Sequence, residues 1–200
     1  MAPGRVGAVI AWTCLAPAAL AAQLEVTPAV GAYLPTGKMF DQYQSGCSCH
    51  STIAQQPGAL FGVHVGFGAV SRVALETTLD FGWSPVQVAQ PGQPTVSLSG
   101  TVVIIGARLH LSARRGAVTT PYLSGGVAYL SHGSIVYQSL SGNNGGAFSV
   151  GAGLRVVVTP HLVGHIDFED YHYSTALGGM SAPAQRDNDL VLLAGLGLIP

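Results

Sequence analysis

The stretch His161 to Tyr173, HLVGHIDFEDYHY, decides the fold. Its odd positions are His161, Val163, His165, Asp167, Glu169, Tyr171 and Tyr173, and its even positions include Leu162, Gly164, Ile166 and Phe168. Side chains of a β-strand alternate between two faces, so this strand would carry one ionisable face and one apolar face. Composition settles which face is the inside. Only 8% of the residues are charged and the mean hydropathy is +0.41, whereas a soluble domain keeps roughly a quarter to a third of its surface charged. A spanning helix needs about 18 or more consecutive apolar residues. The longest candidate, Val102 to Leu111, is interrupted by Gly106, Arg108 and His110. An apolar chain without such helices can satisfy its backbone in lipid only as a closed β-barrel. The polar face of His161 to Tyr173 therefore points inward and its apolar face meets lipid.

Residues 1–22 read as a secretory signal peptide. Arg5 supplies the positive start, Val6 to Leu20 the apolar core, and Ala19-Leu20-Ala21 the cleavage site. Residues 23–200 then form one domain, and the formal net charge of -1 argues against a nucleic-acid partner. The pattern of this domain predicts eight strands. They are Leu24 to Leu34, Ala59 to Ala69, Arg72 to Trp83, Val96 to Leu111, Pro121 to Ser131, Ala147 to Val158, His161 to Tyr173 and Asp189 to Ile199. Long stretches, Pro35 to Pro57, Ser84 to Thr95, His132 to Gly145 and Ser174 to Asn188, alternate with tight turns. That is the up-and-down plan of a transmembrane barrel, with its long loops at one end. The expected fold is all-β, an eight-stranded antiparallel barrel of the bacterial outer membrane.

The register can be checked by cost. An Arg on the lipid face near the midplane costs roughly 2–4 kcal/mol, and a one-residue slip moves every side chain to the other face. Slipping the sixth strand would expose Arg155; slipping the third would expose Glu76 and Asp80. In the register that avoids this, Glu25, Glu76, Asp80, Asp167, Glu169 and Asp189 face Arg72, Arg108, Arg155 and the histidines, among them His64, His110 and His165. An eight-stranded barrel is just wide enough for side chains to fill, so these groups are expected to form a lumen ion-pair network. Phe61, Phe81, Trp83, Tyr129 and Phe148 fall outward near the long-loop end, where an aromatic girdle belongs.

On the stretches TPAVGAYLP (Thr27 to Pro35), PYLSGGVAYL (Pro121 to Leu130) and LAGLGL (Leu193 to Leu198), the chain resembles the bacterial outer-membrane β-barrel family that includes the eight-stranded OmpA and OmpX-type barrels. The resemblance implies a monomer in contact with outer-membrane lipids and lipopolysaccharide, inserted by the barrel-assembly machinery. The last strand of that family usually ends on an aromatic residue; here the chain ends Leu198-Ile199-Pro200.

Two constellations could carry chemistry. His172-Tyr173-Ser174 is similar to the His-x-Ser-Asn of the outer-membrane lipid A deacylases, themselves eight-stranded barrels, with Thr175 where the Asn stands. A base two residues from a nucleophile on one strand face can share its proton, and Asp187 or Asp189 would orient the base. Cys47-Ser48-Cys49-His50 could close an exposed disulfide between Cys47 and Cys49. It could also offer Cys47, Cys49 and His50 to a soft metal, although C-x-C-H lacks the usual C-x-x-C spacing. No cofactor is expected. The favoured role is structural or surface contact through the long loops, with a loop ligand that the sequence does not name. The alternatives are a lipid A deacylase-like hydrolase, a periplasmic lipocalin-like carrier with its apolar face inside, and a narrow channel.

Overall fold

A computed structural model describes residues 24–38, 40–44, 49–68, 72–113, 117–138, 144–175 and 185–200. The expected signal peptide, residues 1–22, lies outside them. The strands are β1 (Leu24–Pro35), β2 (Phe40–Gln44), β3 (Cys49–Gln55), β4 (Gly58–Phe67), β5 (Val73–Trp83), β6 (Val86–Ala89), β7 (Val96–Leu98), β8 (Thr101–Ser112), β9 (Thr119–Gly133), β10 (Asn144–Thr159), β11 (Leu162–Thr175) and β12 (Gln185–Leu198). One short helix, α1 (Ile135–Gln138), follows β9.

Eight of these strands close an antiparallel barrel in the order β1-β12-β11-β10-β9-β8-β5-β4. Each pairs with its predecessor among the barrel strands, and β12 closes on β1 with Tyr33 opposite Val191 and Ala29 opposite Gly195. The faces are those the register argument requires. Glu76, Arg108, Asp167 and Glu169 are buried inside. Leu75, Leu79, Ile105, Leu109, Leu123, Val127, Leu154 and Ile166 are exposed on the wall. In water such a belt would be a large unpartnered apolar patch; in a bilayer it is the solvated surface. The condition for a soluble carrier, charges outside and apolar residues inside, is not met.

Three sequence expectations need correction. The stretches 35–57 and 84–95 are not irregular loops. They contain β2, β3 and β6, which join β7 in a second, four-stranded sheet of order β2-β3-β6-β7. The fourth predicted strand, Val96 to Leu111, is two elements: β7 belongs to the second sheet, and the barrel strand starts at Thr101. The break falls at Gly100, where an added Cβ would stand 2.9 Å from Val86 Cγ2; the chain turns there because only glycine fits the close approach. Finally, the inside face is not ionic throughout. The loop-side half of the lumen is an apolar cluster that includes Leu60, Val102, Ile104, Leu130, Val191 and Leu193.

Candidate functional site

The lumen is layered along its length. At the end with the short turns, Glu25 receives three partners. His165 Nε2 bonds to its Oε1, Arg155 Nη2 lies 3.2 Å from its Oε2, and Thr27 Oγ1 donates to Oε1 at 3.2 Å. Above this sits the Arg108 layer. Arg108 Nε donates to Glu76 Oε1 at 2.8 Å, its Nη2 lies 2.6 Å from the same oxygen, and its Nη1 lies 2.6 Å from Glu169 Oε1. Ser124 Oγ also donates to Glu169 Oε1, at 2.6 Å. Arg108 Nη2 stands 3.3 Å from His64 Nδ1, which leaves His64 Nε2 to donate to Asp80 Oδ1 at 2.9 Å. Tyr122 donates its hydroxyl proton to Asp167, and His110 stacks on the Tyr122 ring with centroids 4.5 Å apart.

Neighbouring glycines make room for these groups. A Cβ on Gly151 would meet the Glu169 carboxyl carbon at 2.5 Å, and one on Gly153 would meet the Tyr122 ring. At the loop end the Asp189 carboxylate accepts from both Tyr33 and Tyr173, the latter at 2.8 Å, and His132 Nε2 lies 3.1 Å from the Tyr33 hydroxyl.

The structure thus brings Glu25, Glu76, Asp80, Arg108, Arg155, His165, Asp167, Glu169 and Asp189 into the lumen, in three clusters. Arg72 is corrected out of this set. It is exposed at the turn before β5, because the strand that would have pointed it inward begins one residue later. Sequence reasoning placed Tyr173 on the inward face but named no partner for it, and missed the tyrosines Tyr33 and Tyr122. Their inward parity was available as a signal, since a buried tyrosine hydroxyl needs a partner. It also missed the apolar cluster. The runs Val102-Val103-Ile104-Ile105 and Val191-Leu192-Leu193 lose the alternation, which marks strands covered on both faces.

A cavity of about 20 Å³ lies among Glu25, Glu76, His110, Tyr122, Arg155 and His165, room for about one water. A larger cavity lies in the second sheet, outside the barrel. It measures about 490 Å³, and its lining includes Ile53, Val88, Val96, Leu98 and Val136 together with Gln90, Gln93 and Pro94. Ile53, Val88 and Val96 are cross-strand partners in one apolar row, and Gln55 shares that face in the next row with Val86 and Leu98. Val86, fully buried beside Ile53 and Val136, anchors that face.

The hydrolytic constellation keeps His172 and Ser174 on one face and loses its acid. His172 and Ser174 are exposed on the outer wall, whereas Asp187 and Asp189 are buried on the lumen side. Asp187 is therefore corrected as a partner for His172: a strand places neighbours of opposite parity on opposite faces. The acid that His172 does meet is Asp170, with Nε2 and Oδ2 3.2 Å apart. Cys47 lies outside the described residues, as do the side chains of Cys49 and His50, so neither the disulfide nor the metal set enters the structural account.

No protein-family model matches the chain, and no curated protein matches it. Solved structures do. The outer membrane protein OprG from Pseudomonas aeruginosa superposes with a TM-score of 0.66 at 12% identity, covering 88% of this chain and 95% of that one. The outer membrane protein AlkL, solved in lipid bilayers, gives 0.54 at 12% identity over 88% of this chain and 89% of its own. Neisserial surface protein A gives 0.53 at 13% identity, covering 88% and 96%. At such identities the likeness is one of fold, and it agrees with the apolar wall and ionic interior described above. The chain is an eight-stranded β-barrel of the bacterial outer-membrane type.

Proposed function

We propose that this barrel is sealed and works at the cell surface, through contacts made by its folded loops, without catalysis and without passage through the lumen. The observation that carries the reading is the second sheet. Two loops that could have been irregular are instead paired, β3 to β6, into one folded unit. That unit carries an apolar row, Ile53, Val88 and Val96, with Val96 exposed, along a cavity of about 490 Å³. Exposed apolar surface of this kind is a mark of a contact site. The lumen side chains support the second half of the reading: Arg108 with its carboxylates and the Leu60–Ile104–Leu193 cluster occupy successive levels inside the barrel.

Two measurements test this. Purified barrel in planar bilayers is expected to give no discrete conductance steps. Cells displaying the barrel are expected to attach to an apolar surface more than cells without it. The advantage should vanish for Val88→Asp with Val96→Asp at unchanged surface level. Steady single-channel steps, or attachment indifferent to the double substitution, would sink the proposal.

A further inference from the structure

The two ionic layers of the lumen, those of Glu25 and Arg108, hold more acid than base. Their carboxylates are Glu25 on β1, Glu76 and Asp80 on β5, and Asp167 and Glu169 on β11, all buried. Their guanidiniums are Arg108 on β8 and Arg155 on β10, which meet Glu76, Glu169 and Glu25. From β9 the hydroxyls of Tyr122 and Ser124 donate to Asp167 and Glu169. A neutral hydroxyl spreads a charge and does not cancel it. Tyr171, buried next along β11, is itself neutral near pH 7. β12 meets these layers with Gly195 beside Thr27 and Gly197 beside Glu25. Arg72, the cation before β5, is exposed at its turn. Five carboxylates therefore face two guanidiniums, and three negative charges are left over.

Three histidines stand against that excess, one from each of β4, β8 and β11. His64 Nε2 lies 2.9 Å from Asp80 Oδ1, His110 Nε2 lies 3.7 Å from Glu76 Oε1, and His165 Nε2 bonds to Glu25 Oε1. Each becomes an ion pair when its ring carries a second proton. Unmet atoms mark the same places. Asp80 Oδ2 and Glu169 Oε2 are buried without a hydrogen-bond donor. His110 Nε2 is buried without a hydrogen-bond partner and lines the cavity of about 20 Å³, in a residue only 7% exposed. Uncancelled charge is costly to bury, and buried ionisable groups change their protonation instead. Three added protons bring the two layers to neutrality.

We propose that the lumen network is a proton-binding site, which holds about three protons in the folded barrel that the unfolded chain does not hold in mildly alkaline solution. The protons belong to the network as a unit, because groups this close do not titrate one at a time. In the unfolded chain above about pH 7.5, histidines are neutral and carboxylates ionised. The folded state then carries the more protons, so a rise in pH favours unfolding. Each proton held shifts the folding equilibrium about tenfold per pH unit. The inference concerns the lumen alone and does not rest on the contact role proposed for the second sheet.

The test counts the protons released when the full chain, folded in detergent micelles, is unfolded with urea at about pH 8. The buffer is dilute and carries an indicator dye. The wild type is compared with Glu25→Gln, Asp80→Asn and Asp167→Asn combined, which leaves Glu76 and Glu169 to balance Arg108 and Arg155. The wild type should release about three protons more than this variant. Taking the difference removes whatever His132 and Asp189 contribute at the loop end. Compact migration of each unboiled variant on a gel verifies folding. Should the triple variant fail that check, Glu25→Gln alone is read in its place and should release about one proton fewer than the wild type. His172→Gln, on the outer wall, should keep the wild-type count. Equal counts for the wild type and the carboxylate variant overturn the proposal, as does a larger count for the variant.

Discussion

At the scale of single residues the barrel depends most on Arg108. It is 3% exposed, and it neutralises Glu76 and Glu169, which are 7% and 0% exposed. Two buried carboxylates without their cation would each face a low dielectric unpaired. Breaking a buried pair by removing one partner costs about 3–5 kcal/mol, whereas replacing the whole set by matched neutral groups is close to neutral. Arg108→Met is therefore expected to lower the stability of the folded barrel by about 3–5 kcal/mol in urea titrations monitored by gel migration. Adding Glu76→Gln and Glu169→Gln to Arg108→Met should restore most of the loss. A triple variant no more stable than the single one would show that Arg108 acts through packing and not through charge.

Much of this layer was legible from parity alone, because Glu76, Arg108, Asp167 and Glu169 could share a face only if that face was inside. The pairings were not legible. Which carboxylate Arg108 meets depends on strands brought together by closure, and the exposure of Arg72 depends on where a turn ends, a matter of one residue.

At the scale of elements the wall and the second sheet make separate demands. Ile166 stands outward near the middle of β11, opposite Leu154 and Ala194. Ile166→Arg should cost roughly 2–4 kcal/mol in the same titration, while Ser174→Arg, in the loop-end rank of the same face, should cost under about 1 kcal/mol. A uniform penalty along the strand would mean that depth in lipid is not what the wall residues sense. In the second sheet, Val86 is fully buried between Ile53 and Val136. Val86→Asp places a charge there without a partner. Hydrogen exchange is expected to show β3, β6 and β7 losing protection while β8 to β12 keep theirs. Loss across the barrel strands as well would show that the two sheets fold as one cooperative unit.

The second sheet was hidden in the sequence for a physical reason. Its strands are three to seven residues long, too short for a period of two to stand out. The pairing that unites them, β3 with β6, joins stretches separated by a barrel hairpin. The same parity runs from Val96 and Leu98 through Gly100 to Val102 and Ile104, which is why one long strand was expected there. Gly100 was the residue that marked the break.

At the scale of the whole molecule the structure combines an apolar exterior, an ion-paired interior and a second sheet formed by segments that link the barrel strands. Eight strands enclose a space that inward side chains can fill, and the ion pairs of Arg108 and Glu25 stand in it. The composition foretold this division. With few charges in the chain, those that occur inside the wall had to pair.

Spin-label scanning of β11 tests the orientation of the wall most directly. Single cysteines from position 163 to 172, introduced in a background lacking Cys47 and Cys49, are labelled in lipid bilayers. Their accessibility to dissolved oxygen and to a water-soluble nickel complex is then measured. Labels at Ile166 and Phe168 should be open to oxygen and closed to nickel, and labels at His165, Asp167 and Glu169 should be shielded from both, giving a period of two along the strand. Oxygen access at the odd positions, or no alternation at all, would contradict an apolar exterior wrapped around an ionic core.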